Sequence, residues 1–444
     1  MSLADRPQLR LFTLCLLYVA QGLPWGFMAT TLPAYLTDRG LDLGFVTATL
    51  SFTTLPYSFK WVWGPIIDTF TIPKLGRRRP WIVFAQAMMA ATVIALVAIP
   101  DLTVQIQLLA WMILIHTVFN SLQDVAVDAL AVDLLTDEER GRANGFMYAS
   151  KYVGGAIGGV GMANVIAMSG LRTALVIQTA ILVAIMFVPL LVRESDTAPP
   201  ARTPAREIAR SLGQAFSLRS TLVAAVLMLG MNFASGIVYA TGYALFVGTL
   251  EWKPEDYTTI TGGWGLVVGG GAAAITGVLT DRFGRRRVAA LASIGLATGW
   301  FLFAMLRAEW TNPTLIYALA FFEGACQAVL SVSLIAICMD LSWTRVGGSQ
   351  FAAYMGLSNF SMTLGYQFAA RANELWEFHG VYIAAAIAQV AITFLLWPID
   401  PHQTRRELKD DARIKWLGIC AMLALLVFLV GMTAYVTLKR LGYI

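Results

Sequence analysis

Charge is scarce in this sequence. Only 13% of the 444 residues are Asp, Glu, Lys or Arg, while 57% are hydrophobic. A soluble chain carries roughly a quarter charged residues, and one this apolar would expose too much nonpolar surface to stay in water. Histidine is rarer still. His116, His379 and His402 are the only three, so a histidine-built metal centre has little to draw on. The four cysteines, Cys15, Cys326, Cys338 and Cys420, sit inside apolar runs without CxxC or Cys/His spacing, and read as small buried hydrophobes. There is no Gly-x-x-x-x-Gly-Lys-Ser/Thr loop to hold a nucleotide, so ATP drive is not supported. No basic block with interleaved aromatics offers a nucleic-acid face. No metal and no cofactor are expected. The start, "MSLADRPQLR", leads into a long apolar run without a clear small-residue cleavage site, and reads as a retained first span.

What fills the sequence is apolar length. A membrane span needs about 20 apolar residues. Twelve such runs lie near 11–36, 43–66, 80–99, 103–131, 143–168, 172–193, 220–248, 257–280, 287–306, 313–339, 347–370 and 379–397. A thirteenth, 416–438, is long enough to cross again. The runs are too long and too uniform for the alternating segments of a barrel. The expected class is therefore an all-α polytopic membrane protein.

Charge orients the spans. Even-numbered connections hold the bases: Lys74 with Arg77, Arg78 and Arg79; Arg140 and Arg142; Arg202, Arg206 and Arg210; Arg282 with Arg285, Arg286 and Arg287. The positive-inside rule puts these and the N-terminus in the cytoplasm. A full thirteenth crossing would send Lys439 and Arg440 outside, which mildly opposes it. The connection 194–219 divides the chain nearly in half. Its Pro-rich start reads as a linker. From Ala205 it turns amphipathic, with Ile208, Leu212 and Phe216 on one side, as in a helix lying on the inner membrane surface. The expected organisation is a six-helix bundle over 1–193, a cytoplasmic linker with an interfacial helix over 194–219, a second six-helix bundle over 220–397, and a cytoplasmic segment with a thirteenth helix over 398–444.

The halves repeat. "GPIIDTFTIPKLGRRR" (Gly64–Arg79) and "GVLTDRFGRRR" (Gly277–Arg287) each follow the second span of their half, and each runs Gly-x-x-x-Asp and then Gly-Arg-Arg-Arg. Asp133 aligns with Asp340, His116 with Glu323, and Gln21 with Asn232. Two six-span halves in parallel repetition is the sequence form of a carrier with its site between them. The loop Gly277-x-x-x-Asp281-Arg282-x-Gly284-Arg285-Arg286 resembles the signature of the major facilitator superfamily in full. The first-half copy departs from it, with Thr69 in place of the usual Arg and an insertion before Gly76. "FKWVWGPIIDTFTIPKLGRRRPW" followed by "QDVAVDALAVDLLTDEERG" resembles the AmpG-like branch, the peptide, acetyl-coenzyme A and drug uptake group. A carboxylate at Asp68 or Asp281 can cap a neighbouring helix N-terminus and pair with loop arginines. Asp68, Arg77, Arg78, Asp281, Arg282, Arg285 and Arg286 are thus gate candidates; the alternative is that the arginines only fix orientation.

Asp124 and Asp128 of "NSLQDVAVDAL" share one face of the fourth span. Each charge at a helix centre costs about 2.5–3.5 kcal/mol on insertion scales, so both need partners. Counted from the cytoplasmic ends, Lys60 lies roughly 12 Å deep, and Asp124 and Lys151 each roughly 13 Å. Two lysines and two aspartates can form a neutral cluster beside the path, coupled to the gate by titration, or a static network that holds helices together. Glu323 is the one acid well inside a second-half span and a second proton candidate, while His116 reads as an interior histidine. Gln21, Trp25, Asn232, Tyr239, Tyr243, Asn359 and Gln367, together with Lys60 and Lys151, are candidates for solute contact, since amides hydrogen-bond sugars and peptides and aromatic faces stack on rings. The glycine clusters at 154–161 and 262–271 read as close helix packing.

These readings point to a proton-coupled secondary transporter and not an enzyme. The expected partners are a small solute, protons and the lipid bilayer, and the expected form is a monomer in a bacterial inner membrane. The resemblance implies muropeptides first. Acetyl-coenzyme A and siderophores belong to the same branch, and a non-transporting membrane sensor is the alternative of another class.

Overall fold

The computed structural model describes residues 2–39, 55–72, 75–99, 105–194, 204–253, 256–257 and 259–408. The run 416–438, Cys420, Lys74, the outer part of the second run and the Pro-rich stretch 195–203 lie outside them.

The described residues are helical, with only two isolated bridges, Ser2 to Arg193 and Ile72 to Gly76. Nine helices among them are long and apolar enough to cross a membrane. Two of the continuous stretches hold more than one span. Asp137–Leu191 covers 55 residues and breaks at Gly170, whose φ of 82° only glycine adopts freely, so it contains the fifth and sixth spans. Gly347–Thr393 covers 47 residues and breaks at Glu377, φ 51°, into the eleventh and twelfth. The second span is in pieces, Leu55–Ser58, Lys60–Val62 and Trp63–Thr69. The other spans are Pro7–Gly26, Arg79–Val97, Ile106–Leu134, Arg219–Met231 with Phe233–Tyr243, Gly265–Phe283, Arg285–Met305 and Pro313–Leu341.

Local chemistry sets the ends. Proline stands in the first turn of the first, third and tenth spans, where its missing N–H costs nothing. Thr136 and Glu139 form a capping box at the start of the fifth, satisfying backbone donors that a helix leaves free. The first span runs through Pro24 into a π turn, Phe27–Thr31. There the Thr31 hydroxyl donates to the carbonyls of Gly158 and Gly159 at 3.0 and 2.7 Å.

One apolar core runs through both halves, from Leu14 to Ile399, while side chains such as Met168, Phe394 and Trp397 stay exposed on the outside. Small residues let the spans close on one another. A Cβ on Gly22 would stand 2.0 Å from the Lys151 carbonyl, so the first and fifth spans touch backbone to backbone, and Lys151 is held beside Tyr18.

The linker helix Ala205–Ala215 differs from expectation in what it faces. Ile208 and Phe216 are buried, and the Phe216 ring lies 6.3 Å from that of Tyr354 in the eleventh span. The amphipathic pattern is present, but its apolar side is covered by protein. A pattern of period 3.6 reports that a face is buried without saying against what.

Candidate functional site: a buried charge cluster above a closed basic end

Three spans of the first half deliver the buried charges. The Lys60 ammonium stands 2.7 Å from Asp124 Oδ2, both side chains 6% exposed. Lys151 Nζ lies 3.5 Å from the other oxygen, Oδ1, and its side chain is 27% exposed. Both lysines therefore face one carboxylate. Asp128, one helical turn on, accepts a 2.6 Å hydrogen bond from the Tyr18 hydroxyl. The ring of Tyr18 lies 5.8 Å from that of Tyr148, and Lys151 Nζ is 5.9 Å from each ring centroid. The even pairing of two lysines with two aspartates expected from depth is thus uneven in space. Asp124 has the lysines and Asp128 has a phenol. Tyr18 was missed; its signal is the face it shares with Gln21 and Trp25, three and seven residues on.

Below the cluster, at the ends that bear the arginine loops, the two halves are locked together. Asp68 is fully buried. It accepts from Ser349, at 2.8 Å from the backbone N–H and 2.6 Å from the hydroxyl, and pairs with Arg78 at 2.6 Å and Arg77 at 3.1 Å. Arg78 Nε also reaches Asp133 at 2.8 Å, and Arg77 reaches the Arg345 carbonyl across the halves at 3.3 Å. Burial opposes the Arg78 charge, yet Asp133 and Asp68 together raise its pKa. Arg77 is lowered, first by burial and then by Arg78 beside it, against the pull of Asp133 and Asp68.

The second half repeats the device. Asp340 pairs with Arg285 and, at 3.1 Å, with Arg140 of the first half. Arg285 also donates to the Asp137 carbonyl, and Arg405, beyond the twelfth span, pairs with the Asp137 carboxylate. Asp281 lies against the start of the fifth span, where a Cβ on Gly141 would meet it at 2.2 Å. In each copy the Gly of Gly-x-x-x-Asp lets the other half's helix approach. A Cβ on Gly64 would stand 2.5 Å from Ser349 Cα, and one on Gly277 would stand 2.7 Å from Arg142 Cα. Two expected gate arginines are elsewhere. Arg282 is exposed over the Phe283 ring, and Arg286 donates to the Ile399 and Trp397 carbonyls. Their neighbour Arg285 takes the inward direction, and a helix start can point only part of an arginine run at the partner half.

The remaining candidates spread around this axis. Gln21 is buried with neither amide atom hydrogen-bonded in the structure, and Trp25 is exposed. Asn232 donates to Ser358 at 2.6 Å and accepts from Gln327 at 3.3 Å. Asn359 reaches the Tyr57 carbonyl, across the halves, at 3.4 Å. Tyr243 meets Tyr257 edge to face at 5.5 Å, and Glu323 is half-buried in the tenth span. Gln367 is half-buried. His116 Nδ1 is 2.8 Å from the Thr92 hydroxyl, a satisfied interior histidine on that side of its ring.

A helical carrier fold with this double signature loop defines a class. The Major Facilitator Superfamily model matches residues 14–276 and 227–443, and the chain belongs to that family as a multi-pass secondary transporter. It is 25% identical over 353 residues, 78% of this chain and 70% of the relative, to the anhydromuropeptide permease of Escherichia coli strain K12. Among solved structures it resembles the proton:xylose symporter XylE, with a TM-score of 0.68 at 13% identity, covering 88% of this chain and 96% of that one. It also resembles the transporter FucP in the outward conformation, with a TM-score of 0.69 at 11% identity, covering 88% and 98%.

Proposed function

We propose that this chain is a proton-coupled importer of an anionic, muropeptide-like solute in a bacterial cytoplasmic membrane, with its basic end in the cytoplasm. It moves its solute unchanged and is not an enzyme. The observation that carries the reading is the uneven cluster: Asp124 is balanced by Lys60 and Lys151, and Asp128 by no lysine. When Asp128 takes a proton, the two lysines outnumber the one remaining carboxylate by a single positive charge. Lys151, the looser and more exposed of the pair, can then turn to a solute carboxylate. Release of the anion restores the surplus to Asp128, whose proton leaves on the side then open. Neither ligand alone neutralises the site, and that is what coupling requires.

The basic-end contacts suit a gate, because they join the halves through groups that must separate for the path to open there. The solute class is supported by the similarity to the Escherichia coli anhydromuropeptide permease and by Lys151, which Asp124 holds at only 3.5 Å and which is partly exposed. The test is uptake into proteoliposomes. An inward acid gradient should drive accumulation of an anhydromuropeptide, and Asp128→Asn should abolish accumulation while leaving exchange of labelled for unlabelled solute. Accumulation without a gradient, or accumulation by Asp128→Asn, would refute the coupling.

A further inference from the structure

The ninth span begins as the third does. Each follows a glycine of positive φ, Gly76 at 105° and Gly284 at 86°, and each opens on arginines. In the third span the helix start is filled from within the chain. Glu194, just past the sixth span, accepts the backbone N–H groups of Arg77, Arg78 and Arg79 at 2.8, 2.7 and 2.6 Å. Arg79 then ties back to the Pro189 carbonyl at 2.6 Å. Arg286 repeats that tie toward the twelfth span, donating to the Ile399 carbonyl at 2.6 Å.

Among the described residues the carboxylate is not repeated. Neither helix has an acid in its own first turn, and no described side chain takes the place of Glu194 on the backbone N–H groups of Arg285, Arg286 and Arg287. Asp400, the acid that follows the twelfth span, pairs with Arg406. A Cβ on Gly76 would strike the Glu194 carboxyl at 2.7 Å, whereas one on Gly284 would meet nothing within 4 Å. Helix geometry leaves the first N–H groups without partners inside the helix and makes that end an anion site. A cavity of about 550 Å³ opens at the same place between the ninth and twelfth spans. Arg286 and Arg287 stand at its mouth, and Ala290, Ile294, Val390 and Phe394 line it below. Arg286, Ala290 and Ile294 follow one helix face, so the groove descends roughly 12 Å. Trp397, 88% exposed beside the mouth, is placed like an interface tryptophan.

Positive charge at the level of the loops with an apolar trough beneath it matches one kind of molecule. We propose that this groove is a binding site for an anionic phospholipid. Its phosphate sits at Arg287 and the uncapped ninth-span start, where the repeat puts Glu194 in the other half, and one acyl chain lies along Ala290, Ile294 and Val390.

The test is native mass spectrometry of protein released from nanodiscs of equal phosphatidylglycerol and phosphatidylcholine. The wild type should retain phosphatidylglycerol preferentially. Arg287→Gln should cut that preference about fivefold, the weight of one basic side chain at an anionic lipid surface. Ile294→Trp, which fills the trough, should lower retention of either lipid, and excess inorganic phosphate should leave the ratio unchanged. Arg287 is exposed, so its variant has no fold to lose. Equal retention of the two lipids by the wild type, or an unchanged ratio in Arg287→Gln, would overturn the proposal. So would displacement of the lipid by inorganic phosphate, which would make this a site for a free anion.

Discussion

Asp68 and Ser349 lie 281 residues apart in the chain and in direct contact in the fold, the carboxylate taking both the backbone N–H and the hydroxyl of the serine. A first-half carboxylate thus caps the start of a second-half helix. Asp281 lies against the start of the fifth span in the mirrored direction. The two copies of Gly-x-x-x-Asp therefore each face the other half, but unequally: Asp68 is buried and paired with Arg77 and Arg78, whereas Asp281 is exposed and Arg285 behind it pairs with Asp340.

Breaking the first clasp should release the basic end. Asp68→Asn leaves Arg78 short of a buried partner, at a cost to the closed form of about 3–5 kcal/mol. The native Cys338, 1% exposed in the tenth span, reports the result. In a background without Cys15, Cys326 and Cys420, a thiol reagent should label Cys338 faster in Asp68→Asn than in the parent, and uptake should fall. Equal labelling rates would mean that the contact is not a gate.

The glycines make a separate prediction. Gly64→Ala and Gly277→Ala add a methyl where Ser349 Cα and Arg142 Cα stand 2.5 and 2.7 Å away, closer than packed atoms tolerate. Each variant should insert normally, transport more slowly and expose Cys338, and the pair should exceed either alone. Wild-type exchange rates in both would contradict the close approach.

Glu194 holds three backbone donors of the third span. Glu194→Ala should cost about 0.5–2 kcal/mol, the worth of a helix cap, seen as a fall of a few degrees in Tm. Glu194→Gln, which keeps one acceptor oxygen, should fall less. If the two variants match the wild type in thermal unfolding, the cap carries no weight.

Asp124 and Asp128 should fail differently. Asp124→Asn leaves Lys60 buried against a neutral amide, so both accumulation and exchange should drop. Asp128→Asn leaves the lysine pairing intact and should lose accumulation alone. Identical defects in the two variants would favour a static network over a proton site.

Much of this architecture was legible in the residues. The apolar runs located the spans, because a bilayer demands length and uniform hydrophobicity. Counting 1.5 Å per residue from the loop ends placed Lys60, Asp124 and Lys151 at one depth, and they meet. Depth and face do not reveal partners on other helices, however. Tyr18 escaped notice because a tyrosine in a span usually marks packing. Ser349 and Glu194 escaped because a serine after two glycines and an acid before a linker look ordinary until the fold sets them against helix starts. Arg282 and Arg286 were drawn into the gate by the resemblance, though only Arg285 of that run turns inward.

The most direct test of the account is an uptake assay with purified protein in sealed proteoliposomes, using labelled anhydromuropeptide with and without an inward acid gradient. The account predicts accumulation above the external concentration only with the gradient, together with acidification of the lumen that depends on the solute. Gradient-independent equilibration, or solute entry with no proton entry, would contradict it.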